Sequence, residues 1–314
     1  MTLTKFAIIG YGSMGSVHHK SISEIDNIIL HSVLDTDKKK LKKINNDISV
    51  FDKFNEFIDH IKKENVDGVI ISSPNQYHYE QAKELINNNI PVLIEKPITE
   101  SIDNLNSLLK KAEENNTVLR CGLIEIYNPI ISELKKTKFK NLKSIHITRH
   151  SPRVSNDRNL GDVIVDLLLH DISLLFDIFN PIDLEIVGFN KFDLNGEIET
   201  FEILLSIDNK TSVFISTSRE SQVKKRNIEI IDKDTIYFID LIQKIIYVTR
   251  KGSLTRDNKS FTEKNQKFKI EPLDRPETAK IQLRKFQENI DSNKIDKKHF
   301  ELIRKSHDFI FKIA

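Results

Sequence analysis

One cysteine, Cys121, is all that the 314 residues contain, so no internal disulfide can staple the chain. A lone thiol without ligand spacing around it implies a reducing compartment and a packing role. No uninterrupted apolar run reaches the roughly 18 residues of a membrane span. Met1 to Gly10 lacks the charged start, apolar stretch and small-residue cleavage site of a secretory signal, and the cytoplasm is the expected location. A dominant charge sign is missing too. The formal net charge of +2 argues against a surface that tracks nucleic-acid phosphates. The lysine run Lys38-Lys39-Lys40 with Lys42-Lys43 reads as a solvated helix face. No Cys/His set has metal-ligand spacing, and there is no internal repeat or low-complexity linker.

What remains is the composition of a globular protein with a core, 39% hydrophobic and 30% charged. The length exceeds the roughly 100–200 residues of one domain, so two are expected, 1–122 and 123–314. In the first, compact apolar runs (Phe6–Ile9, Ile28–Leu34, a strand near Val50, Gly68–Ile71, Val92–Ile94, Val118–Gly122) alternate with helix-type segments. That alternation predicts right-handed crossovers and a parallel sheet, a doubly wound α/β domain. After Tyr127 the pattern changes. A short helix at Pro129–Lys136 and a strand at Ser144–His150 precede a long apolar helix, Asp162–Phe179. Strands then follow without helices between them, from Leu184 to Thr249, joined by turns at Asp208–Lys210 and Asp232–Asp234. This predicts an α+β domain with a largely antiparallel sheet. Lys251–Lys267 reads as a polar loop, and helices at Pro276–Ile290 and Lys297–Phe311 close the chain.

Gly10-Tyr11-Gly12-Ser13-Met14-Gly15 follows the first strand and opens a helix. In that context the three glycines serve a tight turn, close approach of a pyrophosphate, and helix–strand packing, with phosphate on the helix N-terminus. Asp35 ends the second strand 20 residues past the last glycine, where a carboxylate binds ribose hydroxyls. It would repel a 2′-phosphate, which favours NAD over NADP, although Lys38 could soften that preference.

Ligands of open α/β sheets bind beyond the carboxyl ends of the strands. There the chain carries Ser73-Pro74-Asn75 with His78, and Glu95-Lys96-Pro97. Ser73, Pro74, Asn75, His78, Glu95 and Lys96 join Gly10, Gly12, Ser13, Met14, Gly15 and Asp35 as the expected cofactor site. Lys96 also suits donation to a substrate hydroxyl. His18 and His19 read as helix-surface residues. On the 162–179 helix, Asp162, Asp166, His170, Ser173 and Asp177 recur at spacings that place them on one face. A polar stripe on an otherwise apolar helix must face water, a polar partner or a cleft. Asp166 and His170 stand one turn apart, so the carboxylate can orient the imidazole as a general base. The same pair could merely tie the helix to its neighbours.

Together, Gly10–Gly15, Glu95-Lys96-Pro97 and Asp166…His170 resemble the Gfo/Idh/MocA oxidoreductases over essentially the whole chain. The resemblance implies a Rossmann domain followed by a substrate domain whose open-faced sheet forms homodimer or homotetramer contacts. It implies hydride transfer between a sugar or polyol carbon and nicotinamide, with Lys96 near the reacting hydroxyl, His170 as acid/base and Asp166 as its partner. Many members carry glycine where Leu168 stands. Glu125-Ile126-Tyr127-Asn128-Pro129 and the Ser151–Ile172 string are instead similar to the nucleotide-sugar branch. That similarity adds Tyr127, Asn128, Arg153 and Arg158 as substrate residues, the arginines suiting a diphosphate; surface salt bridges are the other use for them. The expected reaction is oxidation at C3 of a UDP-linked N-acetylated hexosamine. A free-sugar or inositol dehydrogenase, and a non-catalytic NAD-dependent regulator, are the alternatives.

Overall fold

The computed structural model describes residues 3–153, 161–194, 196–252, 254–256, 261–263, 265–274 and 276–314. It divides into two units, 1–124 with 277–311, and 125–276 with 312–314.

The first unit is a six-stranded parallel sheet in the order β3-β2-β1-β4-β5-β6, the doubly wound arrangement expected from the alternating pattern. Its strands are β1 (Thr4–Ile9), β2 (Ile28–Leu34), β3 (Ser49–Phe51), β4 (Gly68–Ile71), β5 (Val92–Ile94) and β6 (Leu119–Cys121). The crossovers contain α1 (Ser13–Ser23), α2 (Lys38–Leu41), α3 (Phe54–Lys63), α4 (His78–Asn87) and α5 (Ile102–Glu114). The central strands are apolar throughout because both faces are covered: Ile8, Val69, Ile70, Leu93 and Ile94 are wholly buried.

A single cut at 122/123 does not describe the chain. The closing helices α8 (Thr278–Ser292) and α9 (Lys297–Phe311) return to the first unit. Phe286 stacks near Phe6 with ring centroids 5.2 Å apart, and a Cβ at Gly68 would lie 2.9 Å from its ring. Arg120 on β6 donates to Asn289 and Asp296. Two buried histidines of α9 act as acceptors: His299 Nε2 takes the Cys121 N–H at 3.1 Å and His307 Nε2 the Ile98 N–H at 3.3 Å. Local periodicity predicts the helices but carries no information about which sheet they cover.

The second unit begins with α6 (Pro129–Leu134) and β7 (Leu142–His150), followed by a π-turn (Ile164–Leu168) that runs into α7 (Leu169–Phe179). Next come β8 (Leu184–Leu194), β9 (Glu197–Ile207), β10 (Thr211–Ser218), β11 (Lys225–Asp232), β12 (Thr235–Asp240), β13 (Ile245–Arg250), β14 (Leu254–Arg256), β15 (Phe261–Glu263) and β16 (Gln266–Ile270). Eight of these strands form one sheet in the order β16-β13-β12-β11-β7-β10-β9-β8, parallel only between β7 and β10. Ile203, Ile215, Ile147, Ile228, Ile239 and Ile246 stand in register across six strands and are buried. In the neighbouring row on the other face, Leu204, Phe214, His146, Phe238 and Tyr247 are exposed and Glu229 is half-buried. The segment expected to be a polar loop holds β14, β15 and the first two residues of the edge strand β16. An edge strand needs little apolar content, and Phe268 is the lone aromatic of β16. Among the described residues no helix is long and apolar enough to cross a membrane.

Candidate active site

The phosphate loop links β1 to α1. Gly10 has φ +87°, and a Cβ there would fall 2.5 Å from the backbone N of Ser73, so only glycine lets the loop pass the end of β4. A Cβ at Gly15 would lie 2.2 Å from the Gly10 carbonyl oxygen. A Cβ at Gly12, by contrast, would meet nothing within 4 Å. Gly12 is also the N-cap of α1 and makes no side-chain cap bond, and the first amides of a helix attract phosphate. Ser13 and Met14 form the first turn. Two tight glycines beside one open one fit a loop built around a pyrophosphate.

Asp35 is buried just past β2, and its carboxylate joins the loop to that strand. Oδ2 accepts the Tyr11 N–H at 2.7 Å and Oδ1 the Asp37 N–H at 2.8 Å. The cation beside it is Lys40, at 3.2 Å, whereas Lys38 pairs with Asp52. An acid fixed here by backbone donors is ready to accept ribose hydroxyls.

Beyond β4, Ser73 Oγ donates to Gln81, while Pro74 and Asn75 are exposed. Buried His78 has Nδ1 2.8 Å from the Pro97 carbonyl and Nε2 2.8 Å from the Ser73 carbonyl. Its ring thus ties the end of β4 to the segment after β5. Glu95 is buried against Gly122, and its Oε1 lies 2.7 Å from Nε2 of buried His18. Helix-surface reading missed His18; its neighbour His19 bonds the Tyr11 hydroxyl. Lys96 is half-buried, and the Lys96–Pro97 peptide is cis.

In the second unit the predicted stripe separates into parts. Asp162 Oδ1 accepts the Ile198 N–H of β9, Ser173 donates to the His170 carbonyl, and Asp177 pairs with Lys135. Asp166 and His170 are both half-buried, one in the π-turn and the other in the first turn of α7. The next residue, Asp171, is buried and accepts Arg149 Nε at 2.8 and 3.0 Å. Arg149, itself buried, also meets Glu125 at 3.1 Å, and Arg226 meets the same Glu125 oxygen at 2.8 Å. Burial pushes the Asp171 carboxyl up to about 6, with Arg149 as its counter-charge. Burial opposes ionisation of Glu125 as well, but Arg149 and Arg226 together hold it below the usual carboxylate range. This network was legible in part. An acid off the polar stripe of a buried helix requires a cation, and Arg149 occupies an inward position of β7.

Tyr127 is half-buried. Asn128 caps α6 and donates to the Leu241 carbonyl. Exposed Arg153 pairs with buried Glu199 at 3.4 Å, beside Arg219. Arg158 lies outside the described residues.

Residues 4–123 match the model of the Gfo/Idh/MocA oxidoreductase family, NAD-binding Rossmann fold. UDP-N-acetylglucosamine 3-dehydrogenase from Acidithiobacillus ferrooxidans is 24% identical over 250 residues, 79% of this chain and 77% of that protein. Its solved structure superposes with a TM-score of 0.84 at 20% identity, covering 100% of this chain and 97% of that one. Myo-inositol 2-dehydrogenase from Thermotoga maritima is 19% identical over 230 residues, 69% of each chain. The glycine loop and the Asp35 carboxylate lie within the residues that match this family model, so residues 4–123 are an NAD-binding Rossmann domain similar to that of the Gfo/Idh/MocA oxidoreductases.

Proposed function

We propose that the protein oxidises a ring hydroxyl of a nucleotide-linked sugar, at C3 of a UDP-N-acetylated hexosamine. The observation that carries this reading is that Asp166 and His170, the spacing-four acid and imidazole of the π-turn and α7, are both half-buried rather than sunk in the core. NAD, held by Gly10, Gly12, Ser13, Met14, Gly15 and Asp35 with Ser73, Pro74, Asn75 and Glu95 around it, supplies the hydride acceptor. His78 supports that site by holding Ser73 to Pro97. His170 takes the hydroxyl proton, and Asp166 orients its ring. Lys96 stabilises the developing alkoxide, worth several kcal/mol in a site that excludes water, to order of magnitude. Tyr127, Asn128, Arg153 and Arg158 complete the substrate side, with the arginines on the diphosphate. A second copy of the chain covers the exposed apolar row of the large sheet, which light scattering tests through the mass in solution.

The similarity to the Acidithiobacillus ferrooxidans enzyme over nearly the whole chain supports the nucleotide-sugar reading. One observation favours an inositol or free-sugar substrate instead: the Arg153 guanidinium already faces the Glu199 carboxylate. Absorbance at 340 nm with NAD and a panel of UDP-hexosamines, free sugars and inositols separates the two. The proposed reading expects NADH only with the nucleotide sugars, and a KM that rises strongly in an Arg153→Ala, Arg158→Ala variant. Turnover of inositol with no response to UDP-sugars contradicts it. Silence on every substrate while NAD is bound indicates a regulator.

A further inference from the structure

A groove of about 680 Å³ opens at the end of the large sheet where β7 begins and β11 turns into β12, a volume in the range of small-molecule sites. Its floor is Tyr237, Val248, Phe268 and Ile270, which stand on β12, β13 and β16 on the same face as the buried isoleucine row. That face is covered over Tyr237 and Val248 and comes open at β16, where Phe268 is 47% exposed. Asp232, at this end of β11, stands six residues after Arg226, which bonds Glu125. The groove therefore lies roughly 20 Å along the strands from that charged cluster.

Four cations ring the groove: Lys138 and Lys140 before β7, Lys233 in the turn after β11, and Arg250 at the end of β13. Among the described residues none of the four has an ion-pair partner. Arg250 lies over the Phe268 ring, its Cζ 5.4 Å from the centroid, a cation–π contact that braces the guanidinium against the wall. Two acids share the lining. Buried Asp232 accepts the Lys140 and Asn141 N–H groups, and Asp234 is exposed. Four cations less two carboxylates leave a formal charge of +2. Tyr237 is more than nine-tenths buried, with Phe139 packed edge-on at 5.6 Å. Among the described residues its hydroxyl has no hydrogen-bond partner. Burial and the Asp232 carboxylate raise its pKa against the pull of Arg250, so the hydroxyl keeps its proton and is a donor.

We propose that this groove binds a small organic phosphate monoester, with the phosphate among Arg250, Lys138, Lys140 and Lys233, the Tyr237 hydroxyl donating to it, and the ring or apolar part of the ligand against Phe268. The charge selects a dianion, and a phosphate monoester carries about −2 near neutral pH. A guanidinium braced on a ring presents its fork to two oxygens of one phosphate. The exposed side of Phe268 offers apolar surface that an inorganic anion leaves uncovered. The site does not depend on the proposed sugar chemistry.

The test titrates phenyl phosphate, inorganic phosphate and benzoate into the full chain by calorimetry, with NAD at saturation to keep them off the glycine loop. Phenyl phosphate should bind at one site, about tenfold or more tighter than either of the others. An Arg250→Ala, Lys140→Ala double variant should weaken it by about tenfold or more, as the loss of charge-assisted hydrogen bonds does. Tyr237→Phe should weaken it by about threefold to tenfold, the worth of one neutral hydrogen bond. NAD affinity and melting temperature should stay at wild-type values, since Arg250 and Lys140 are exposed and phenylalanine keeps the ring. No heat with phenyl phosphate, or undiminished affinity in both variants, overturns the site. Equal affinity for inorganic phosphate overturns the role of Phe268 and the organic class, and equal affinity for benzoate overturns the phosphate.

Discussion

The ring of His18 and the carboxylate of Glu95 meet at 2.7 Å inside the first unit, both buried. Among the described residues Nδ1 of His18 has no partner, so the bond runs from the Nε2–H to the carboxylate. It ties the helix after the phosphate loop to the residue before Lys96. His18→Leu leaves a buried acceptor without its donor, a loss of about 1–3 kcal/mol. Calorimetry should show a lowered melting temperature, and NAD titration a weakened affinity. Wild-type values for both would show that the bond positions nothing.

The three loop glycines should respond differently to alanine. Gly10→Ala and Gly15→Ala drive a Cβ into backbone at 2.5 and 2.2 Å, so both should unfold at lower temperature. Gly12→Ala has open space and should fold like wild type, yet bind NAD at least about tenfold more weakly, because the methyl takes the room of the pyrophosphate. Thermal melts paired with NAD titration check all three.

Asp35→Ser removes the charge that would face a 2′-phosphate while keeping an acceptor for the backbone. With Lys40 then released from its ion pair, the ratio of kcat/KM for NADP to that for NAD should rise about tenfold or more. An unchanged ratio would assign cofactor choice to other residues.

Acid should loosen the closing helices from the sheet of their own unit. Burial drives the His307 pKa down from 6.5 to about 4 and that of His299 well below its usual range. Because the folded form resists a proton that the unfolded chain accepts, stability is intact above pH 6.5 and falls as pH drops toward 4. For His307 alone the loss approaches about 3 kcal/mol. His307→Gln keeps a hydrogen-bonding side chain without the titration, and its melting temperature should depend less steeply on pH over that window. Parallel curves would exclude His307.

Where strand and helix periods are strong, the fold was readable before any coordinates. The parallel order, the glycine turn and the run of antiparallel strands all follow from local pattern. Gly68 shows what does not: nothing in Gly68-Val69-Ile70-Ile71 says that Phe286, far along the chain, fills the space above it. The π-turn was equally hidden, since a stripe at spacings of three and four fits an unbroken α-helix. The residues on either side of it, Asp162 and Asp171, bond Ile198 and Arg149 on neighbouring strands. Asp166 and His170 were legible because polar residues on an apolar helix stand out. His18 was not, because its partner Glu95 lies 77 residues away.

The central claim is that His170 removes the proton while hydride leaves C3 of the nucleotide sugar. Wild type, His170→Ala and Lys96→Ala should each be given NAD and UDP-N-acetylglucosamine deuterated at C3, with the NADH analysed by mass. The account predicts deuterated NADH from wild type and almost none from either variant at undiminished NAD affinity. Unlabelled NADH from wild type, or label transfer at wild-type rate in both variants, would contradict it.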